Sequence, residues 1–147
     1  MPDTAIEILL VEDNPDDIEL ALTALRAGSL ANQIHVVRDG AAALEFLFGG
    51  GEAGNQALAI PPRIILLDLK LPKVDGLEVL QRIKSDPRTR HIPVIVMTSS
   101  REERDVFESY ELGVNSYIVK PVDFIQFREV VKQLGLYWLV INHAPAR

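Results

Sequence analysis

The sequence predicts an α/β protein built on a five-stranded parallel sheet with helices on both faces. Five short runs of aliphatic and β-branched residues alternate with segments whose apolar residues recur at the helical period. Three of the runs, residues 8–11, 64–67 and 94–97, are apolar without interruption, which is typical of strands covered on both faces. Alternation of strand and helix along one chain favours parallel strands joined by helical crossovers.

The strands and the first helix have clear sequence boundaries. We predict strands over residues 6–11, 33–38, 63–68, 92–98 and 115–120. After the first strand, Asn14 is suited to be a helix N-cap and Pro15 to be the first helical residue. Asp16 and Asp17 follow in the first turn, where the positive end of the helix dipole favours negative charge.

The later helices also have recognisable starts and ends. Ser100 with Glu103 has the spacing of a capping box, and Asp123 with Gln126 resembles one. Pro87 ends the helix before it, near residues 85–86. The predicted buried faces of three helices consist of apolar residues at the helical period: Ile18, Ala21, Leu22 and Leu25; Leu77, Leu80 and Ile83; and Phe124, Phe127, Val131 and Leu134.

Length and composition indicate one acidic domain. The 147 residues include 15 Lys and Arg against 21 Asp and Glu, a net charge of -6, and no cysteine. The absence of cysteine excludes disulfides, thiolate metal ligands and thiol nucleophiles. The acidic balance disfavours direct contact with nucleic acid. Because the sequence has no secretory signal and no apolar run near the ~20 residues of a membrane span, we expect a cytoplasmic protein that does not enter membranes.

We expect this domain to occupy residues 1–147, with two additions to a compact core. The core covers about 5–135, which is enough chain for five strand–helix units. A glycine-rich loop at 49–61 interrupts it, and a C-terminal extension follows at 136–147.

Polar residues stand at the carboxyl ends of four predicted strands: Glu12 and Asp13, then Asp68, Thr98 and Lys120. Ligands of open parallel sheets bind outside these ends, where the strand order reverses. Three carboxylates brought together repel one another unless a cation joins them, and oxygen ligands without His or Cys favour Mg²⁺. An ionised Asp is also a nucleophile that can take a phosphoryl group. Thr98 and Lys120 would help to neutralise the charge of that group.

Together these residues resemble the receiver domain of two-component response regulators, which implies a flavodoxin-like fold with the strand order 2-1-3-4-5. The similarity covers the chain from residue 6 to about 134. The matching motifs are Val11-Glu12-Asp13-Asn14, Leu67-Asp68-Leu69-Lys70-Leu71-Pro72, Asp75-Gly76, Met97-Thr98-Ser99, and Tyr117 with Lys120-Pro121. Each motif alone is common, but their joint order is specific.

The resemblance implies a phosphoacceptor and a metal site. Asp68 would accept a phosphoryl group from a phosphohistidine on a sensor histidine kinase. Asp13 and Asp68 would bind Mg²⁺ directly, Glu12 through water, and Lys70 through its backbone carbonyl. The only chemistry implied is self-phosphorylation and self-dephosphorylation, so the protein would not be an enzyme.

The resemblance also implies a switch. Thr98 and Lys120 would contact the phosphoryl oxygens. Thr98 drawn inward and Tyr117 rotating with it would change the surface that a partner reads.

The C-terminal apolar run at 136–141 is longer than one core needs. It either folds back on its own domain as the end of a helix or forms a patch that pairs with another copy. This tail and the loop at 49–61 are similar to those of single-domain regulators encoded with bacterial phytochromes. That similarity implies a phytochrome as the kinase and a homodimer through the last helix and the tail, with contacts at Phe124, Tyr137, Trp138 and Leu139.

Two other functions fit parts of the sequence. A phosphatase of the haloacid-dehalogenase type also uses an Asp nucleophile, but its second Asp, a general acid, is Lys70 here, which cannot serve as that acid. A degenerate receiver used only as a dimeric scaffold is the other. The set of Asp13, Asp68 and Lys120 disfavours it, because a scaffold has no reason to keep carboxylates that repel one another.

Overall fold

The computed structural model describes residues 8–27, 34–49, 62–99 and 116–133. Within these ranges five strands and four helices follow one another along the chain. The strands are β1 (Ile8–Val11), β2 (Ile34–Val37), β3 (Ile64–Asp68), β4 (Val94–Thr98) and β5 (Ser116–Val119). The helices are α1 (Pro15–Ala27), α2 (Gly40–Phe48), α3 (Gly76–Ser85) and α4 (Phe124–Gln133).

All five strands form one parallel sheet of order β2-β1-β3-β4-β5, as predicted. Each predicted strand contains the observed one. The register pairs Val11 with Leu67, Asp68 with Met97, and Thr98 with Val119. The carboxyl ends of β1, β3, β4 and β5 therefore meet at one edge of the sheet.

The sheet is covered on both faces, which explains the uninterrupted apolar runs in β1, β3 and β4. Successive strand residues point to opposite faces, so the described chain has two apolar clusters. The cluster on the α1 and α4 face includes Ile8, Leu10, Ile64, Leu66, Ile95, Met97 and Phe127. The cluster on the α2 and α3 face includes Leu9, Val11, Ile65, Leu67, Val94, Val96 and Leu80.

The start of α1 and the end of α3 agree with the sequence. The side-chain oxygen of Asn14 accepts hydrogen bonds from the backbone N–H groups of Asp16, at 2.8 Å, and Asp17, at 3.0 Å. Asn14 is therefore the predicted N-cap. Helix α3 ends at Ser85, ahead of Pro87, as predicted.

The turn between β5 and α4 is held by Gln126. The N–H of Gln126 donates to Asp123 Oδ1 at 2.8 Å, which is the first half of the predicted capping box. Its side-chain amide donates to Asp123 Oδ2 at 2.9 Å and to the carbonyl of Pro121 at 3.1 Å. This side chain thus ties the end of β5 to the start of α4.

Some sequence predictions concern residues outside those that the structure describes. These are the capping box of Ser100 and Glu103, residues 50–61 of the inserted loop, Leu134, and the extension at 136–147. In the described part of the chain, no helix combines the length and hydropathy that crossing a bilayer requires.

Candidate functional site

The four strand ends bring the predicted polar residues together. Glu12 and Asp13 follow β1, Asp68 ends β3, Thr98 ends β4 and Lys120 follows β5. Because β1 and β3 are neighbours in the sheet, their acidic ends lie side by side. Glu12, Asp68 and Thr98 are buried, whereas Asp13 is exposed. The site therefore has a buried floor and one carboxylate open to solvent.

The carboxylates of Glu12, Asp13 and Asp68 form one cluster, in which an oxygen of each lies within 4.8 Å of the others. Oxygen ligands of this charge fit a hard divalent cation such as Mg²⁺. The backbone of Lys70 lies beside the cluster, because its N–H donates to Asp68 Oδ1 at 3.2 Å. The three carboxylates therefore fit the oxygen ligands that a divalent cation prefers.

Lys120 supplies the positive charge of the site. Its Nζ lies 2.8 Å from Glu12 Oε1, 3.2 Å from Asp68 Oδ2 and 3.2 Å from Asp17 Oδ2. Its backbone N–H donates to the carbonyl of Thr98 at 2.8 Å, which fixes the start of the side chain at the end of β4. One ammonium group thus contacts carboxylates that follow β1, end β3 and lie in α1.

Burial and neighbouring charges together change the pKa values of both partners in the Lys120–Glu12 pair. The pKa of Glu12 is raised to about 7, mainly because burial disfavours its charged form; the nearby charge of Asp68 acts in the same direction, whereas Lys120 and the N–H of Asn14 oppose the rise. Burial alone would lower the pKa of Lys120, but the carboxylates of Glu12, Asp68 and Asp17 outweigh it and raise that pKa. Glu12 Oε1 is close to Nζ without the alignment of a hydrogen bond among the described residues. Desolvation therefore exceeds the stabilisation that Glu12 gains from the pair.

Two glycines position the loop that follows Asp68. A Cβ built on Gly76 would lie 2.5 Å from the carbonyl oxygen of Asp68, so only glycine leaves room for this close approach. A Cβ on Gly40 would overlap the backbone of Val74. The N–H of Gly40 also donates to the carbonyl of Pro72 at 3.3 Å. The start of α2 therefore packs directly on the loop next to the acidic cluster.

Two further predicted residues lie within the described chain. Tyr117 is partly buried and packs against the cluster on the α2 and α3 face. Phe124 is partly buried against the opposite cluster, and the guanidinium of Arg128 lies 5.5 Å from its ring centroid. The predicted contact residues Tyr137, Trp138 and Leu139 are outside the described residues.

Among the residues that the structure describes, Asp17 is a site residue that the sequence reasoning missed. We assigned it only to the charged first turn of α1, yet its carboxylate contacts Lys120. The available signal was its position, since the first turn of α1 begins directly beside the acidic end of β1. An acidic residue in that turn can therefore reach the ammonium group of Lys120.

Comparison with known proteins identifies the family. The model of the response regulator receiver domain matches residues 8–132. The chain is 44% identical over 138 residues to the probable methanogenesis regulatory protein FilR2 of Methanothrix harundinacea, covering 94% of this chain and 86% of that protein. It is 42% identical over 139 residues to the response regulator Rcp1 of Synechocystis sp., covering 95% and 92%. The chain belongs to the response regulator receiver domain family.

Solved structures confirm the predicted fold and the similarity to regulators associated with phytochromes. The bacteriophytochrome response regulator AtBRR is 53% identical, with a TM-score of 0.84, over 96% of this chain and 99% of that chain. The phosphorylated cyanobacterial phytochrome response regulator RcpA is 45% identical, with a TM-score of 0.71, over 92% and 94%. The Mn²⁺-bound form of Rcp1 is 40% identical, with a TM-score of 0.71, over 96% and 99%.

Proposed function

We propose that Asp68 accepts a phosphoryl group from a phosphohistidine of a sensor histidine kinase and that phosphorylation changes the surface of the domain. The contact between Lys120 Nζ and Asp68 Oδ2, beside a cluster of three carboxylates, carries this proposal. A cation in that place neutralises charge on an incoming phosphoryl group. The phosphorylated state of the relative RcpA supports it.

The proposed reaction is a direct transfer. An oxygen of Asp68 attacks phosphorus, the bond from phosphorus to the histidine nitrogen breaks, and an acyl phosphate forms. The imidazole leaves with the electron pair and takes a proton. Asp68 needs no base, because a carboxylate is already ionised. Its Oδ1 accepts from the N–H of Lys70 and its Oδ2 contacts Lys120, so both oxygens are oriented before transfer. Thr98, buried at the neighbouring strand end, would donate its hydroxyl to the phosphoryl oxygens.

A divalent cation completes the proposed site. Asp13 and Asp68 would hold Mg²⁺ directly, Glu12 through water and Lys70 through its carbonyl. When bound, the ion neutralises negative charge that would otherwise keep a phosphoryl group away from the carboxylates. Mn²⁺ in the Rcp1 structure supports a divalent cation at this position.

Labelling with acetyl phosphate tests the phosphoacceptor. Wild type with acetyl phosphate and Mg²⁺ should gain the mass of one phosphoryl group, measured on the intact protein. Asp68→Asn should gain none. Asp75→Asn is the matched control, because Asp75 is exposed and its side chain makes no capping hydrogen bond at the start of α3. Equal labelling of wild type and Asp68→Asn would overturn the proposal. Hydrolysis of p-nitrophenyl phosphate with turnover would instead support the phosphatase alternative.

We also propose that the donor is a histidine kinase of the phytochrome kind. The names of AtBRR and RcpA, both phytochrome response regulators, support this donor. Purified candidate kinases phosphorylated on histidine would be incubated briefly with the protein. Preferential transfer from a phytochrome kinase is expected, and faster transfer from unrelated kinases would contradict it. A cytoplasmic location and the lack of nucleic-acid binding remain predictions from the sequence.

The proposed homodimer involves Phe124 and the tail residues Tyr137, Trp138 and Leu139. Apolar surface near the start of α4 supports a partner there, because Ile125 is 64% exposed and Val119 is 40% exposed. Light scattering at micromolar concentration should give the mass of two chains. Ile125→Glu should give the mass of one chain, whereas Leu20→Glu, an exposed apolar residue on α1, should leave the dimer intact. A wild-type monomer would contradict the proposal.

A further inference from the structure

Asp17 adds to Lys120 a carboxylate that belongs neither to the metal cluster nor to the proposed phosphoacceptor. Its Oδ2 lies 3.2 Å from Lys120 Nζ, the same distance as Oδ2 of Asp68. The two carboxylates reach the ammonium from different elements, since Asp17 is in α1 and Asp68 ends β3. Asp17 therefore contacts the ammonium group of Lys120, which the proposed reaction uses.

The geometry makes Asp17 a competitor of a phosphoryl group on Asp68 for contact with the ammonium of Lys120. An ammonium group has three N–H donors, and three carboxylates lie around Lys120 Nζ. A phosphoryl group on Asp68 needs contacts from the same donors. In the proposed site a bound metal ion can replace Lys120 as the positive charge next to Glu12 and Asp68. Asp17 is not in the carboxylate cluster, so the metal ion would not replace Lys120 for it.

We propose that Asp17 is a positioning residue that draws Lys120 toward α1, and that a phosphoryl group on Asp68 must displace it to engage Lys120. This inference rests on the proposed phosphoacceptor. It implies that Asp17 favours the binding of Mg²⁺ but opposes the binding of a phosphoryl group. In the resting protein Asp17 shares the ammonium with Glu12 and Asp68, so these two carboxylates interact with it less than they would alone. During phosphorylation it competes with the phosphoryl oxygens, so the first turn of α1 responds to the state of Asp68.

A purely structural role for Asp17 predicts something else. An acidic residue in the first turn stabilises a helix through the dipole, and Asp16 does so equally. Asp16→Asn therefore removes the same charge from the same turn, and no contact with Lys120 is described for Asp16. Asp17→Asn keeps the backbone N–H that donates to Asn14, so its helix start is preserved.

Beryllium fluoride, a non-covalent analogue of a phosphoryl group on a carboxylate, provides the first measurement. Its affinity is measured by calorimetry at saturating Mg²⁺ for wild type, Asp17→Asn, Asp17→Glu and Asp16→Asn. Asp17→Asn should bind it roughly two- to fivefold more tightly than Asp16→Asn, the range expected for a partly exposed ion pair. Asp17→Glu should restore wild-type affinity. Because a damaged fold would weaken binding, tighter binding cannot come from lost structure. Equal or weaker binding by Asp17→Asn would overturn the proposal.

Mg²⁺ affinity in the absence of any phosphoryl donor provides the second measurement. In Asp17→Asn, Lys120 stays with Glu12 and Asp68, so Mg²⁺ should bind roughly two- to fivefold more weakly than in Asp16→Asn. Equal Mg²⁺ affinity in the two variants would overturn the role of Asp17. This arm does not depend on phosphorylation. If wild type bound Mg²⁺ but was not labelled by acetyl phosphate, the proposed function would fail while the Mg²⁺ comparison still decided whether Asp17 positions Lys120.

Discussion

Lys120 Nζ lies 2.8 Å from Oε1 of Glu12, a side chain with 1% of its surface exposed. This pair joins the ends of β1 and β5, which are not neighbours in the sheet. The ammonium thus closes the site across β3 and β4.

Lys120→Met should lower stability as well as phosphorylation. The substitution keeps the aliphatic stem but leaves Glu12 and Asp68 buried without their cation. We expect a loss of about 2 kcal/mol or more in the free energy of unfolding at pH 8, measured with urea. Lys132→Met is the control, because Lys132 is exposed and its contact with Glu129 is 3.9 Å long. Equal effects of the two substitutions would contradict the prediction.

The stability of the metal-free protein should fall as the pH rises from about 4.5 to about 7. The pKa of Glu12 is about 7 in the folded protein against an ordinary value of 4.5, so the unfolded chain loses this proton first. Below pH 4.5 both states hold the proton and there is no penalty. Above pH 7 both states have lost it and the penalty is complete. Lys120 does not titrate in this window, because its pKa is raised above the ordinary 10.5.

Glu12→Gln should remove this decline. Urea unfolding in the presence of a chelator, repeated from pH 4.5 to pH 8, measures it for both proteins. Glu78→Gln, at an exposed position in α3, should keep the wild-type profile. A decline that persists in Glu12→Gln would show that another group causes it.

Gly76→Ala should destabilise the domain and slow its labelling. The added Cβ would lie 2.5 Å from the carbonyl oxygen of Asp68, so the loop must move at the phosphoacceptor itself. We expect a cost of about 2 kcal/mol from this overpacking, and slower transfer from acetyl phosphate. The exposed Glu78→Ala, two residues further into α3, should stay within about 0.5 kcal/mol of wild type. Wild-type labelling by Gly76→Ala would show that the loop tolerates the added carbon.

Thr89→Val should lower stability without changing phosphorylation. The buried hydroxyl of Thr89 donates to the carbonyl of Ile83 at 2.7 Å, near the end of α3 away from the strand ends of the site. Removing it takes away a buried hydrogen bond to the carbonyl of Ile83, for an expected cost of about 1–2 kcal/mol. Ser85→Ala is the control, because the exposed hydroxyl of Ser85 donates to the carbonyl of Arg82 at 3.3 Å. Its removal should cost less, because water can take the place of the hydroxyl at this exposed carbonyl. Slower labelling of Thr89→Val would contradict the separation of fold and site.

Much of the fold could be predicted because the relevant signals are local. Strand β3 lies inside the predicted run because four consecutive aliphatic residues suit a strand buried on both faces. The cap at Asn14 and the stop before Pro87 depend on atoms only a few residues apart. The polar ends of β1, β3, β4 and β5 could be placed together because parallel strands all end at the same edge.

The contacts that set the electrostatics of the site depend on the packing of whole elements. Asp17 and Lys120 are 103 residues apart, and no periodicity relates them. Their contact exists because α1 starts just after β1, Lys120 directly follows β5, and both strands end at the same edge of the sheet. The approach of Gly40 to Val74 has the same origin, since it depends on where α2 meets the loop after β3.

The sequence by itself therefore determined the order of elements, the strand ends and the residue types of the site, because these follow from short-range patterns. The tertiary structure decided how the single cation of Lys120 is shared among Glu12, Asp68 and Asp17. That sharing depends on distances of about 3 Å between separate elements and on the loss of water around them, which only the packed sheet and helices create.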